Sequence, residues 1–330
     1  MKKPTVQSLA AELNVSRQTV SNVLNNPHRV KASTRERVLE AIDRSGYRPS
    51  VAARALRKQQ SMSLGLRLAP VSDGINGAVM DGFLHALVER ADALGYRITL
   101  FTASSLSDEL SQLSQLKESN AIDACVLTDT RPGDPRPARL SALGLPFAAF
   151  GRPWDDPSEH AWVDVDGRLG TMAAVRHLHS LGHERIGFIG WPDAGIGEDR
   201  RAGWSEALGL SAREADRISI AVDDTVRNGA AAMRTLADRG VHAVVCASDS
   251  LALGALTEQR TSGQAPAIVG YDDTPVARAV GLSSVRQPVE DVAATILDLV
   301  LRQVNHLPLE TPHVLLAPTL MPRTVADFLS

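Results

Sequence analysis

The apolar residues Val6, Leu9, Ala10 and Leu13 recur at i, i+3, i+4 and i+7, stop at Asn14, and resume at Val20, Val23 and Leu24. That pattern is two short helices around a tight turn, each burying one stripe. Thr5 and Ser16 carry side chains suited to capping the two helix starts. A third helix is expected from Ser33, where Ser33 and Glu36 have capping-box spacing, and Gly46 is placed to end it. Three helices this small can close one minimal core.

The second helix turns a polar face outward: Arg17, Gln18, Ser21, Asn22 and Asn25. A helix following a short turn can place its first residues in a DNA major groove. Arg17, Gln18 and Asn22 are the base-reading candidates, because a guanidinium matches the two guanine acceptors and a carboxamide pairs bidentately with adenine. Charge supports this over a merely solvated face. Residues 1–60 hold twelve Lys and Arg against four Asp and Glu, a net of +8, whereas residues 61–330 hold 23 against 34, a net of −11. The overall charge of −3 conceals the split. A basic front on an acidic body concentrates phosphate attraction at one end, so binding should weaken steeply with salt.

Residues 47–60 read Tyr-Arg-Pro-Ser-Val-Ala-Ala-Arg-Ala-Leu-Arg-Lys-Gln-Gln. Ser50 after Pro49 can start a helix, but two turns are too short to be stable alone. Its one large apolar residue, Leu56, sits among Arg54, Arg57 and Lys58, which suits a wedge into a bent minor groove or a plain tether.

The segment from Val15 to Asn25, then Thr34-Arg-Glu-Arg-Val38, Gly46-Tyr-Arg-Pro49 and Ala53-Arg-Ala-Leu56 resemble the lactose-repressor (LacI/GalR) family. So do His177-Leu-His-Ser-Leu-Gly-His183, Arg200-Arg-Ala-Gly-Trp204, Ala247 to Gly254, Gly270-Tyr-Asp-Asp273 and Val285-Arg-Gln-Pro288, in that order. The resemblance implies a cytoplasmic, homodimeric, ligand-responsive repressor on a pseudo-palindromic operator, with a hinge helix that folds on DNA and inserts Leu56. It implies DNA contacts at Thr5, Ser16, Arg17, Gln18, Ser21, Asn22, Asn25, Val30, Tyr47, Ala53 and Leu56. Many relatives carry arginine where this chain has Asn22.

From residue 63 short apolar runs alternate with helical patterns: 63–69, 97–101, 122–127, 147–150, 185–189, 243–246 and 267–269. Strand after helix after strand means parallel α/β. The expected layout is a helix-turn-helix headpiece over 1–49, a hinge helix over 50–60, and a periplasmic-binding-protein-like body over 61–330. The resemblance implies two doubly wound lobes, the first over 61–161 and 286–316 and the second over 162–285 and 317–330. Ligands of such sheets bind beyond the carboxyl ends of the strands. Loops there supply Asp166, Trp191, Arg200, Ser248, Asp249 and Asp272, residues suited to a polyhydroxylated ligand. The resemblance implies effector contacts at Arg200, Asp272 and Ser248, to which Arg152, Asp166 and Trp191 are added. Asp249 reads equally well as a helix cap, and Asp273 as another. Residues 73–77 depart from the family, whose aromatics there often touch the effector, so the effector is expected only as a carbohydrate of unspecified kind.

Other constellations carry less. His177 and His179 do not share a helix face, so no metal is expected, and no cofactor. Gly195-Ile-Gly197 lacks the third glycine of a dinucleotide loop. Cys125 and Cys246 lie in apolar runs and read as buried thiols. The N-terminus has no apolar export core, and no apolar run approaches the ~20 residues of a membrane span. A sugar-transport protein would leave the basic front unexplained. An enzyme would need an acid/base or nucleophile set, and none stands out.

Overall fold

In the computed structural model, described over residues 4–25, 27–47, 60–68, 75, 77–156, 160–192, 195–261 and 267–323, the chain divides into two units, Met1–Ser61 and Met62–Ser330.

In the first unit, α1 (Val6–Glu12), α2 (Arg17–Asn25) and α3 (Ala32–Ser45) enclose Leu9, Ala10, Val20, Val23, Val38 and Ala41. Thr5 and Ser8 form a reciprocal capping box on α1. The turn is made by Asn14 at φ 52, a left-handed conformation that Asn tolerates. Ser16 starts α2, its hydroxyl accepting from the Thr19 amide at 3.0 Å. Helix α3 begins one residue before the expected Ser33, with Lys31 at the cap and no side-chain cap bond, since a lysine ammonium has no acceptor; the Lys31 carbonyl accepts from the Thr34 and Arg35 amides. Gly46 ends it at φ 64.

The second unit holds two six-stranded sheets. The first runs β11 (His313–Leu316), β5 (Trp162–Val165), β4 (Phe147–Phe150), β3 (Ala124–Leu127), β1 (Ser63–Arg67), β2 (Arg97–Phe101), all parallel. Alternate residues of one strand feed opposite cores: Ala124 and Val126 join Phe83, Leu87 and Ile296, while Cys125 and Leu127 join Leu113, Leu140 and Trp162. A sheet covered on both faces needs such apolar strands. Its covering helices include α4 (Ala78–Ala93), α5 (Leu106–Glu118), α6 (Arg136–Ala142) and α13 (Val289–Val304), numbered along the chain.

The second sheet runs β12 (Thr319–Met321), β10 (Ser283–Arg286), β9 (Ala267–Tyr271), β8 (Ala243–Cys246), β6 (Ile186–Gly190), β7 (Ser219–Ala221), with only β12 antiparallel. Its helices are α7 (Gly167–Ser180), α8 (Ile196–Ala207), α9 (Ala212–Ile218), α10 (Val226–Asp238), α11 (Asp249–Thr261) and α12 (Pro275–Ala279). Helices α10 and α11 meet backbone to backbone at Gly229 and Gly254. A Cβ on Gly229 would meet the Leu251 carbonyl, and one on Gly254 the Val226 carbonyl.

The chain crosses between sheets after Val165, after Arg286 and after Leu316. The first crossing falls later than the expected residue 161, because Trp162 and Val163 pair with Ala149 and Phe150 and so keep β5 in the first sheet. Among the described residues no helix is long and apolar enough to cross a membrane.

Candidate functional site

The carboxyl ends of the two sheets enclose a cleft of about 480 Å³, within the range of small-molecule sites. The first lobe lines it with Arg67 at the end of β1, Thr128 and Asp129 after β3, Phe150, Gly151 and Trp154 at and after β4, Asp164 and Val165 of β5, and Val79 and Met80 of α4. The second lobe contributes Gly167 of α7 and Ile196, Asp199 and Arg200 of α8, and Gln287 enters at the second crossing. Gly151 is required twice over: its φ is 110, and a Cβ there would collide with the Thr130 hydroxyl.

Arg200 is 6% exposed. Its guanidinium lies over the Tyr271 ring at 3.6 Å, and its Nη1 donates to the Ala247 carbonyl at 2.5 Å. The Asp272 carboxylate stands 3.8 Å away. Asp272 follows β9 at φ 105, a strained conformation held by its amide donating to Val285 and its carboxylate accepting from Gln287 Nε2, both at 2.7 Å. Burial raises its pKa, with Arg200 opposing. Arg200 lines the cleft, whereas Asp272 lines a smaller recess beside it with Gln287.

Arg152 braces the cleft wall. It pairs with Asp164 at 3.2 Å and with Asp199 across the lobes at 2.8 Å, and it stacks on Trp154 at 4.6 Å. Burial raises the Asp164 pKa against the pull of Arg152. Asp164, Asp199, Trp154, Arg67 and Gln287 were not singled out from the sequence, although Gln287 lies within the quoted Val285–Pro288 motif.

Arg152, Asp166, Ser248 and Trp191 are not among the cleft-lining residues, Arg152 standing behind Asp164, Asp199 and Trp154. Asp166 caps α7, accepting from the Leu169 amide at 2.8 Å. Ser248 occupies the cap position of α11, accepting from the Leu251 amide at 3.2 Å and donating to Asp224. Trp191 packs beside Gly197 on the second-lobe core, 5.6 Å from the Arg200 guanidinium. Asp249 is no cap: it is buried, its carboxylate accepts from the Thr274 amide at 2.7 Å and the Ser284 hydroxyl at 2.6 Å, and burial lifts its pKa to about 7. Asp273 instead binds Arg286 at 2.7 Å and Arg323 at 2.6 Å, and Thr274 caps α12.

In the first unit Arg17 and Gln18 are exposed on α2, and Gln18 Nε2 donates to Asn22 Oδ1 at 3.0 Å. Ser21 and Asn22 are half-buried on the same helix. Thr5 and Ser16 are tied into caps, while Val30 and Tyr47 pack against the small core. Ala53, Leu56 and the Asn25 side chain lie outside the described residues. Cys125 and Cys246 are free, buried thiols with pKa values pushed up by burial. Among the described residues no His, Cys, Asp and Glu group could hold a metal ion.

Residues 5–50 match the model for bacterial regulatory proteins of the lacI family, and residues 175–324 match a periplasmic binding protein-like domain. The HTH-type transcriptional regulator CelR of Thermobifida fusca is 33% identical over 338 residues, spanning 98% of each chain. A solved complex of a regulator CelR with cellobiose matches at a TM-score of 0.72 and 30% identity, over 98% of this chain and 99% of that one. The lac repressor dimer bound to operator and an anti-inducer matches at a TM-score of 0.76 over 100% of both chains, but at 23% identity, a likeness of fold.

Proposed function

The chain belongs to the LacI family of bacterial regulatory proteins, and from that premise we propose a carbohydrate-responsive repressor that binds a pseudo-palindromic operator as a homodimer in the cytoplasm. The observation that carries the ligand-responsive part is the cleft itself. Arg200, Asp164 and Asp199 meet there from two lobes, so one ligand touching all three biases the lobe arrangement. Carboxylates accept from sugar hydroxyls and the guanidinium donates to them. The α2 surface around Arg17, Gln18 and Asn22 reads a few base pairs, too few for a genome, so two copies must read paired half-sites. A difference in ligand affinity between two lobe arrangements then appears as a change in operator affinity, usually worth about 1–3 kcal/mol.

No serine, cysteine or histidine lines the cleft among the described residues, and the Asp164 and Asp199 carboxylates are both held by Arg152. The relatives are transcriptional regulators, and turnover is not part of this reading. The test is a gel shift of DNA flanking the protein's own gene, with cellobiose, maltose and galactose as first probes. A retarded band whose midpoint moves with one sugar supports the reading. No retarded band, or a midpoint indifferent to these and a wider set of sugars, contradicts it.

A further inference from the structure

A bound anion in a protein is ordinarily held by arginine forks and by the amides of helix N-termini. At this cleft two of the arginines and the start of α7 are already occupied by the protein's own carboxylates. Arg67 is committed to Glu109 at 3.1 Å and Asp129 at 3.3 Å. Glu109 is in turn held by the buried Arg136 at 3.0 Å, so Arg67 stands at the end of a fixed ion chain. Arg152 is shared between Asp164 and Asp199. Arg200 spends one amino group on the Ala247 carbonyl and its face on Tyr271.

The start of α7 is filled likewise. The Arg168 amide at the start of α7 donates to Asp199 at 3.1 Å, and the next amide donates to Asp166. Helix α8 has no side-chain cap bond, but Glu198 and Asp199 in its first turn place negative charge at its start. A phosphoryl group entering here would have to displace formed pairs and lie against Asp164 and Asp199, which are shielded from water, so that repulsion is little screened. Hydroxyl groups meet no such obstacle, since each can donate to a carboxylate while accepting from a guanidinium. Arg200 Nε is buried without a hydrogen-bond partner, a donor left for one acceptor.

Beside Thr128 and Gln287, much of the remaining lining is apolar, including Val79, Met80, Phe150, Ile196 and the indole of Trp154. The Trp154 Nε1 is also buried without a hydrogen-bond partner, and Arg152 fixes the ring from one side. An aromatic plane with a spare donor at its rim suits the C–H face and hydroxyl edge of a pyranose.

Resting on the carbohydrate reading above, we propose that this cleft takes an uncharged sugar, seated on Trp154 and hydrogen-bonded to Asp164, Asp199 and Arg200, and that it rejects phosphorylated sugars. The experiment is isothermal titration of the full chain with cellobiose, maltose, galactose and the 6-phosphate of each, repeated on Trp154→Ala and Trp154→Phe. The expected result is binding of at least one neutral sugar, with its phosphate weaker by about 10-fold or more. Trp154→Ala should weaken the neutral sugar by about 10-fold or more, and Trp154→Phe, which keeps an aromatic plane and serves as the folding control, by only about 3-fold, the first loss being worth some 1.4 kcal/mol. A phosphate binding as tightly as its parent overturns the exclusion of anions while leaving carbohydrate sensing intact. Unchanged affinity in both Trp154 variants overturns the stacking role. Binding of no sugar in either form overturns the carbohydrate reading, and this inference with it.

Discussion

The Arg152 guanidinium on the first lobe lies 2.8 Å from the Asp199 carboxylate on the second, and Asp199 also accepts from the first turn of α7. This pair ties the two walls of the cleft directly. Because both partners are largely removed from water, each is left poorly satisfied if the other is truncated. A double-mutant cycle on Arg152→Ala and Asp199→Ala by urea denaturation should return a coupling of about 1–3 kcal/mol. Strict additivity would mean the pair holds nothing.

Arg200 touches the cleft, Tyr271, the Ala247 carbonyl and Asp272 at once. Arg200→Lys keeps the charge but loses the planar fork that covers the ring while reaching the carbonyl. The expected outcome is a sugar affinity reduced by about 10-fold or more, near 1.4 kcal/mol, with operator affinity in the absence of sugar unchanged. Fluorescence anisotropy on a labelled operator separates the two quantities.

Helices α10 and α11 can approach only because positions 229 and 254 lack a side chain. Gly229→Ala drives a methyl into the Leu251 backbone, which cannot yield as a flexible side chain would. Overpacking of this kind costs about 1–3 kcal/mol. The loss should appear as a lower urea midpoint with unchanged slope.

Asp249 has a folded pKa raised from 3.8 to about 7 by burial first and Asp272 second. Between those values the folded state binds more protons at this group than the unfolded state does. Its contribution to stability is therefore greatest at the acidic end of that window and is lost as pH rises toward 7. Asp249→Asn, which can still accept from the Thr274 amide and donate to Ser284, should fold and flatten this dependence. The measurement is the difference between wild-type and variant unfolding free energies from pH 4.5 to 8, the upper part of the window and just beyond it. Parallel curves would show that the group does not titrate there.

On α2, Arg17→Ala should cost about 1–3 kcal/mol at a cognate operator and relax preference at the base it reads. A loss equal on all sequences would make Arg17 a phosphate contact instead.

The periodic features were open to reading because they are local. The stripe of Val6, Leu9, Ala10 and Leu13 and the apolar runs that became β2, β4 and β8 depend only on neighbours along the chain. The short strands β5, β7, β10, β11 and β12 were not assigned, and the lobe to which Trp162 belongs depends on pairing with Ala149, which no local pattern encodes. In the site, Arg200 was found but Asp199 beside it was not, since which side of α8 faces the cleft is set by packing. Trp154 lies in a Pro- and Asp-rich stretch with no helix or strand period to mark it. Its one warning was chemical: an indole, one of four in the chain, in a segment otherwise polar. Asp166 and Ser248 were assigned to the ligand because capping and sugar binding call for the same residue types at helix starts.

On this reading a ligand in the cleft governs operator binding by the N-terminal helices. That coupling is tested most directly by titrating a labelled operator duplex with wild-type protein and Arg200→Ala, with and without the neutral sugar that binds. The account expects the sugar to shift wild-type operator affinity by about 5-fold or more, within the usual span of allosteric coupling, and to leave Arg200→Ala unmoved. Equal shifts in both proteins, or none in either despite bound sugar, would contradict it.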